Sequence, residues 1–184
     1  MRILALDTST PTTSCALLDD DRIVREQLIG PPARAGDVLP AALGDLDGVE
    51  GVAVGVGPGS FTGLRVGLAA AKAIAWARRL PIAGASSLQA IALGEPGLVY
   101  AATDARKGEL FVQPFRDGAS RGEVQVVMAK DLKLPAGARL LQKPPPAASV
   151  ARLCLPRLRG SAYDAAVCFA LAPDYVQGFL SGGG

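Results

Sequence analysis

The sequence predicts an α/β protein that begins with antiparallel strands, and three observations carry this. Short apolar runs bounded by Gly, Pro, Asp or Ser alternate with helix-length patterns. A glycine-rich turn, "GVGPGS" at 55–60, joins one such run to the longest helical pattern in the chain. At "GEPG", residues 94–97, the alternation gives way to consecutive strands, which implies two lobes, 1–97 and a smaller 98–184. The chain has 184 residues, 49% of them apolar, enough for a core in one compact domain or two small lobes.

The elements follow in order. "RILALD", 2–7, reads as a buried strand ending on the Asp7 carboxylate, and "TSTPTTS" as a polar turn. "CALLDD" and "RIVREQLI" read as two strands of a hairpin around "DDD" at 19–21. "DVLPAALGDL", 37–46, is a short helix with Pro40 expected in its first turn. "GVAVGV" is a strand buried on both faces. The helix after the glycine turn runs over 61–79. "LPIAGA" is a strand, and "SSLQAIAL" a helix capped by Ser86 or Ser87. "LVYAATDA" and "ELFVQPF" form a hairpin across "RKG", and "GEVQVVMA" is a further strand. Residues 133–160, rich in Pro and Arg, give no predicted element. "SAYDAAVCFALA" is a helix expected to pack back on the first lobe, and the "SGGG" tail is expected to fray.

Composition narrows the function classes. Nineteen basic against seventeen acidic residues give a net charge of +2, no footprint for nucleic-acid binding by this chain alone. Cys15, Cys154 and Cys168 show no C-x-x-C spacing, which fits reduced buried thiols. The sequence contains no histidine, so an imidazole base or ligand is excluded and no metal site is expected. No signal peptide and no membrane-spanning apolar segment is read, and the expectation is a cytoplasmic protein.

The glycine turn fails both phosphate-loop templates. From Gly55 or Gly57, the third glycine of G-x-G-x-x-G falls on Ser60 or Thr62. Gly63 is followed by Leu64 and Arg65, not by the Lys and Ser or Thr of a P-loop. Two readings stay open. Ser60 and Thr62 sit at a helix N-terminus that favours an anion, or Ser60 only caps the helix. Asp7, with Thr8 and Ser9, either contacts a nucleotide or metal-bound water, or caps the turn that follows. Asp104 and Arg106 in "DARKGE" either contact a nucleotide or partner, or form a charged hairpin tip with Gly108 in the left-handed position. In the long helix, Gly63, Gly67, Ala71 and Ala75 form one small-residue ladder, and Val66, Ala70, Ala73 and Ala77 a second small face. One face serves the sheet; the other invites a neighbouring helix, unless the helix is only an alanine-rich core element.

"ILALDTST", "TSCALLDD", "GVGPGSFTGLRVGLAAAKAIA", "GASSLQAIA", "DARKGELF" and "APDYV" occur in one order. This pattern resembles the bacterial TsaB (YeaZ) family of tRNA threonylcarbamoyladenosine biosynthesis proteins, closely over the first 116 residues and patchily beyond. The resemblance implies a two-lobed actin/hexokinase/Hsp70-like (ASKHA) fold, mixed β-sheets with flanking helices. It implies a non-catalytic subunit for N6-threonylcarbamoyladenosine (t6A) formation in tRNA, which binds and activates the transferase TsaD alongside the ATPase TsaE. A homodimer of the isolated chain, ATP or ADP only within the complex, and tRNA contact only through it are further implications. The first-lobe helices are the implied interface: Leu39 and Leu43, then Gly63, Leu64, Val66, Gly67, Leu68 and Ala71. On that placement Gly67→Leu breaks the heterodimer and spares the fold. Where family members often read "HSE-LLP", this chain has "RAGDVLP". Two other classes stand as alternatives. An ATP-dependent phosphotransferase of the same fold usually has glycine after the first Asp-x, where this chain has Ser9 in Asp7-Thr8-Ser9. A peptidase-like protein lacks histidine for metal or base.

Overall fold

The structure is a computed structural model that describes residues 1–31 and 33–176. The expected fraying of 181–184 lies outside the described residues. The first sheet has the order β3-β2-β1-β4-β5. Its strands are β1 (Arg2–Asp7), β2 (Thr13–Asp19), β3 (Arg22–Ile29), β4 (Gly51–Gly57) and β5 (Ile82–Ser86). The first three form an antiparallel meander turning at Asp20, whose φ is 50°, while β4 and β5 run parallel to β1. The second sheet is built on the hairpin of β6 (Leu98–Arg106) and β7 (Glu109–Arg116). β8 (Ala119–Ser120) and β9 (Gln125–Met128) pair with β7, and β10 (Arg139–Leu141) lies parallel to β6.

Period-two alternation gives the first sheet two buried faces, one rich in large residues and one rich in alanine, where Ile3 and Leu18 are the exceptions. Leu6, Val52, Val54 and Ile82 point to α1 (Ala35–Leu43) and α2 (Phe61–Arg78). The α2 residues that meet them are small: Gly67, Ala71 and Ala75 are buried there with Leu68. Ala5, Ala16, Ala53, Ala83 and Ala85 point the other way, against Val150, Cys154, Leu155 and Leu158 of α4 (Ala147–Leu158). Each layer therefore matches large side chains on one element to small ones on its neighbour, which keeps both helices close to the strands. α3 (Ser87–Ala92) is capped by Ser86, whose hydroxyl accepts from the Gln89 amide, and its Leu88 and Ile91 join Val99, Phe111 and Phe115 in the core of the second sheet. The short α5 (Ala165–Ala170) returns along α2, where Cys168 is buried.

Two expectations are corrected. Pro40 lies inside α1 rather than in its first turn, because the helix starts at Ala35. Residues 133–160 contain β10 and α4. The prolines at 144–146 that read as a break are the entry to α4, with Pro146 at its N-cap. Pro156 near its end hides the helical pattern.

Candidate functional site

The end of β1 is the centre of the first lobe's polar chemistry. Asp7, Thr8 and Ser9 are all buried. The Asp7 carboxylate accepts the Ser9 amide at 2.8 Å and the Ser9 hydroxyl at 2.6 Å on one oxygen, and the Ser87 hydroxyl at 2.6 Å on the other. The Ser87 hydroxyl in turn accepts the Gly57 amide. Burial pushes the Asp7 carboxyl above the usual carboxylate range, and the hydrogen bonds from Ser87 and Ser9 only partly offset it. Of the two readings of Asp7, the geometry is that of the cap: its oxygens are taken up by the turn and by the start of α3. The second oxygen also abuts Gly55, where any Cβ would collide with it.

The glycine turn serves the same junction. The Ser60 amide donates to the Ser9 carbonyl at 2.7 Å. A Cβ on Gly59 would strike that carbonyl, one on Gly63 the Thr8 carbonyl, and one on Gly67 the Thr8 hydroxyl oxygen. The Thr8 hydroxyl donates to the Gly63 carbonyl at 2.7 Å. Three glycines at four-residue spacing thus let the first helical turns of α2 lie directly on the β1–β2 turn. Ser60 caps α2 by accepting the Gly63 amide.

Between the two sheets opens a cleft of about 890 Å³. Ser9, Thr10 and Ser60 line its first-lobe wall, and Asp104, Arg106 and Lys143 its second-lobe wall. The Thr103 hydroxyl donates to the Pro58 carbonyl and ties the two lobes. Asp104 accepts the Arg106 amide at 2.8 Å, and Arg106, Lys107 and Gly108 all have positive φ, so the left-handed stretch is longer than Gly108 alone. The structure therefore brings Ser9, Ser60, Asp104 and Arg106 to one cleft. Asp7 and Thr8 stay beneath it, and the exposed Thr62 is not among the lining residues. Sequence reasoning missed Ser87 and Lys143, which arrive from distant segments without any local motif.

The residues expected at a partner's helix stand differently. Leu39, Leu64, Gly67, Leu68 and Ala71 are buried in the chain's own interior, and Leu43, Gly63 and Val66 are partly covered. The ladder of Gly63, Gly67 and Ala71 faces β1 and its turn, where the sheet comes closest. The outward side of α2 carries Thr62, Arg65, Ala69, Ala73 and Trp76, with Trp76 60% exposed. Among the described residues no group of His, Cys, Asp and Glu is arranged to hold a metal, and no helix is long and apolar enough to cross a membrane.

The sequence model of the family described as TsaD, tRNA N6-adenosine threonylcarbamoyltransferase, matches residues 37–157. The chain belongs to this family. Within it the chain is similar to TsaB (YeaZ) proteins and to a tRNA N6-adenosine threonylcarbamoyltransferase of Geobacter sulfurreducens, 38% identical over 114 residues. TsaB of Bacillus subtilis is 35% identical over 122 residues, 60% of this chain and 53% of that protein. TsaB of Escherichia coli is 36% identical over 123 residues, with the same shares. The chain thus spans about half the length of the curated TsaB relatives it matches. YeaZ from Pseudomonas aeruginosa superposes with a TM-score of 0.69 at 26% identity, over 95% of this chain and 99% of that one. The architecture of two mixed sheets with flanking helices is the ASKHA fold.

Proposed function

We propose that this chain is a non-catalytic subunit in the formation of t6A in tRNA, and that it binds and activates a TsaD-like transferase. The relatives named for t6A biosynthesis support the pathway. The observation that carries the non-catalytic reading is Asp7. It is the one acidic residue at the end of β1, and its carboxylate is buried beneath the cleft with both oxygens held inside the chain. A phosphotransferase of this fold would need such a carboxylate to face its substrate. The peptidase reading is disfavoured, since without histidine the chain lacks the usual metal ligand and general base.

The docking surface we propose is the outer side of α1 and α2, now read through Arg65, Ala69, Ala73 and Trp76 rather than through the buried ladder. Small residues at 69 and 73 leave room for a second helix, and the Trp76 ring supplies the apolar anchor. In the isolated chain the same surface serves a homodimer. A TsaE-like ATPase, with its ATP or ADP, joins only in the assembly, tRNA is met through it, and the work is cytoplasmic. The test is size-exclusion chromatography of the chain mixed with the TsaD-like protein of the same source. A co-eluting complex is expected. Two separate peaks at micromolar concentrations of both would contradict the reading.

A further inference from the structure

We infer that residues 171–176 form a strap that holds the interlobe cleft at its width, fastened through Arg65 on the outer side of α2. The strap leaves α5 and runs back along α2 toward its N-terminus. Its upstream end is fixed by the Lys72 ammonium, which donates to the Phe169 carbonyl at 2.9 Å. The Leu171 side chain then lies against Gly84 of β5, where a Cβ would come within 3.0 Å of it. The Asp174 amide donates to the Val56 carbonyl at 2.8 Å, so the strap is hydrogen-bonded to the last residues of β4. The next two residues part company. The Tyr175 ring packs on Phe61 of the first lobe, centroids 5.5 Å apart, while Val176 joins the core of the second sheet. Adjacent residues of one segment are thus anchored in different lobes.

Phe61 and Phe111 make this matter to the cleft. Both line it, and both also line a pocket of about 30 Å³ beneath Tyr175 and Val176. The strap therefore backs the two aromatic rings that form part of the cleft wall. Its fastening is a stack of three groups. The Arg65 guanidinium lies 3.7 Å from the centroid of the Phe61 ring, and its Nε donates to the Tyr175 hydroxyl at 3.4 Å. A cation on an aromatic face at this distance is attracted by the ring quadrupole. Arg65 is exposed, so an acidic side chain arriving on α2 can draw the guanidinium off Phe61 and Tyr175 and loosen the strap. This last consequence rests on the docking surface proposed above; the fastening itself does not.

The test uses the full chain without a transferase, labelled at Asp21→Cys in the β2–β3 turn and Arg121→Cys in the second lobe and diluted into excess unlabelled chain, so that only distances within one molecule are read. The native cysteines are buried and out of the label's reach. Pulsed electron paramagnetic resonance then reads the distance between the lobes. Tyr175→Ala is expected to shift the distribution to longer distances and broaden it, and Tyr175→Phe, which keeps the ring on Phe61 but loses the hydroxyl that Arg65 bonds, to give a smaller shift no greater than that of Arg65→Ala. Arg65→Ala, a change at an exposed position, is expected to shift it in the same direction, and the double variant to add nothing further. An unchanged distribution in Tyr175→Ala and Arg65→Ala would overturn the strap. Additive shifts in the double variant would overturn Arg65 as its fastening. Because no partner is present, neither result depends on whether the chain binds a transferase.

Discussion

The Ser87 hydroxyl donates to the Asp7 carboxylate across 2.6 Å, joining the end of β1 to the start of α3. Eighty positions separate the two residues in sequence. This bond, with those from Ser9, decides what the carboxylate at the end of β1 is for, and its energetics are open to measurement.

Asp7 is expected to make stability fall with rising pH. Its folded pKa is raised by burial, so the folded state holds the proton more tightly than the unfolded one. The contribution is fully present below the unfolded carboxylate pKa and is lost as pH rises through the raised folded value. Asp7→Asn removes the titration, so its stability relative to wild type is expected to improve from acid to neutral pH. Asp7→Ala leaves the Ser9 amide and the Ser87 hydroxyl without their acceptor and is expected to cost about 1–3 kcal/mol. Urea unfolding of the three proteins at a series of pH values checks both, and a difference between Asp7→Asn and wild type that is constant across that range would refute the titration.

Glu95 sets the opposite trend. Its carboxylate meets Lys143 at 2.6 Å and Arg139 at 3.2 Å, and the Lys143 hydrogen bond, ahead of the Coulombic attractions, holds its pKa below the usual range. The contribution is present above the unfolded pKa and lost as pH falls through the folded one. Glu95→Gln is expected to reduce stability by under about 1 kcal/mol at neutral pH and low salt, since the pair is partly exposed. Thermal melts with and without high salt check this: the gap between variant and wild type should narrow as salt rises.

Substitution of Gly67 is expected to damage the monomer. A Cβ there meets the Thr8 hydroxyl oxygen and comes within 3.3 Å of Leu6, so Gly67→Ala should cost about 1–3 kcal/mol and Gly67→Leu more. Thermal melting of the isolated chain decides it. A wild-type melting temperature for Gly67→Leu would restore the ladder to a partner's side.

Trp76→Ala is expected to do the reverse. The side chain is exposed, so stability should stay within about 0.5 kcal/mol of wild type. Binding to the TsaD-like protein should weaken by at least about 30-fold, the loss of about 2 kcal/mol typical of an aromatic anchor. Unaltered affinity by calorimetry would move the docking surface elsewhere.

These cases also show what the chain's local patterns reveal. The hairpin around 19–21, the strand at 51–57 and the helix from Phe61 each carry their own signals, and the structure has them within a residue or two of the expected bounds. α4 was hidden because three prolines in a row read as a break when they are a helix entry. The direction of the α2 ladder could not be read because both candidate faces are small, and only the approach of Thr8, 55 residues away, distinguishes them. The partner of Asp7 was illegible for the same reason. Ser87 is an ordinary serine at a helix start until the fold brings it to the end of β1.

The central claim is that t6A formation depends on this chain without its doing the chemistry. The direct measurement is reconstitution of tRNA modification from the TsaD-like transferase and TsaE-like ATPase of the same source, with and without this chain. Modification is expected only when the chain is present, and Asp7→Asn is expected to support it as well as wild type. Full modification in the chain's absence, or its loss with a folded Asp7→Asn, would contradict the account.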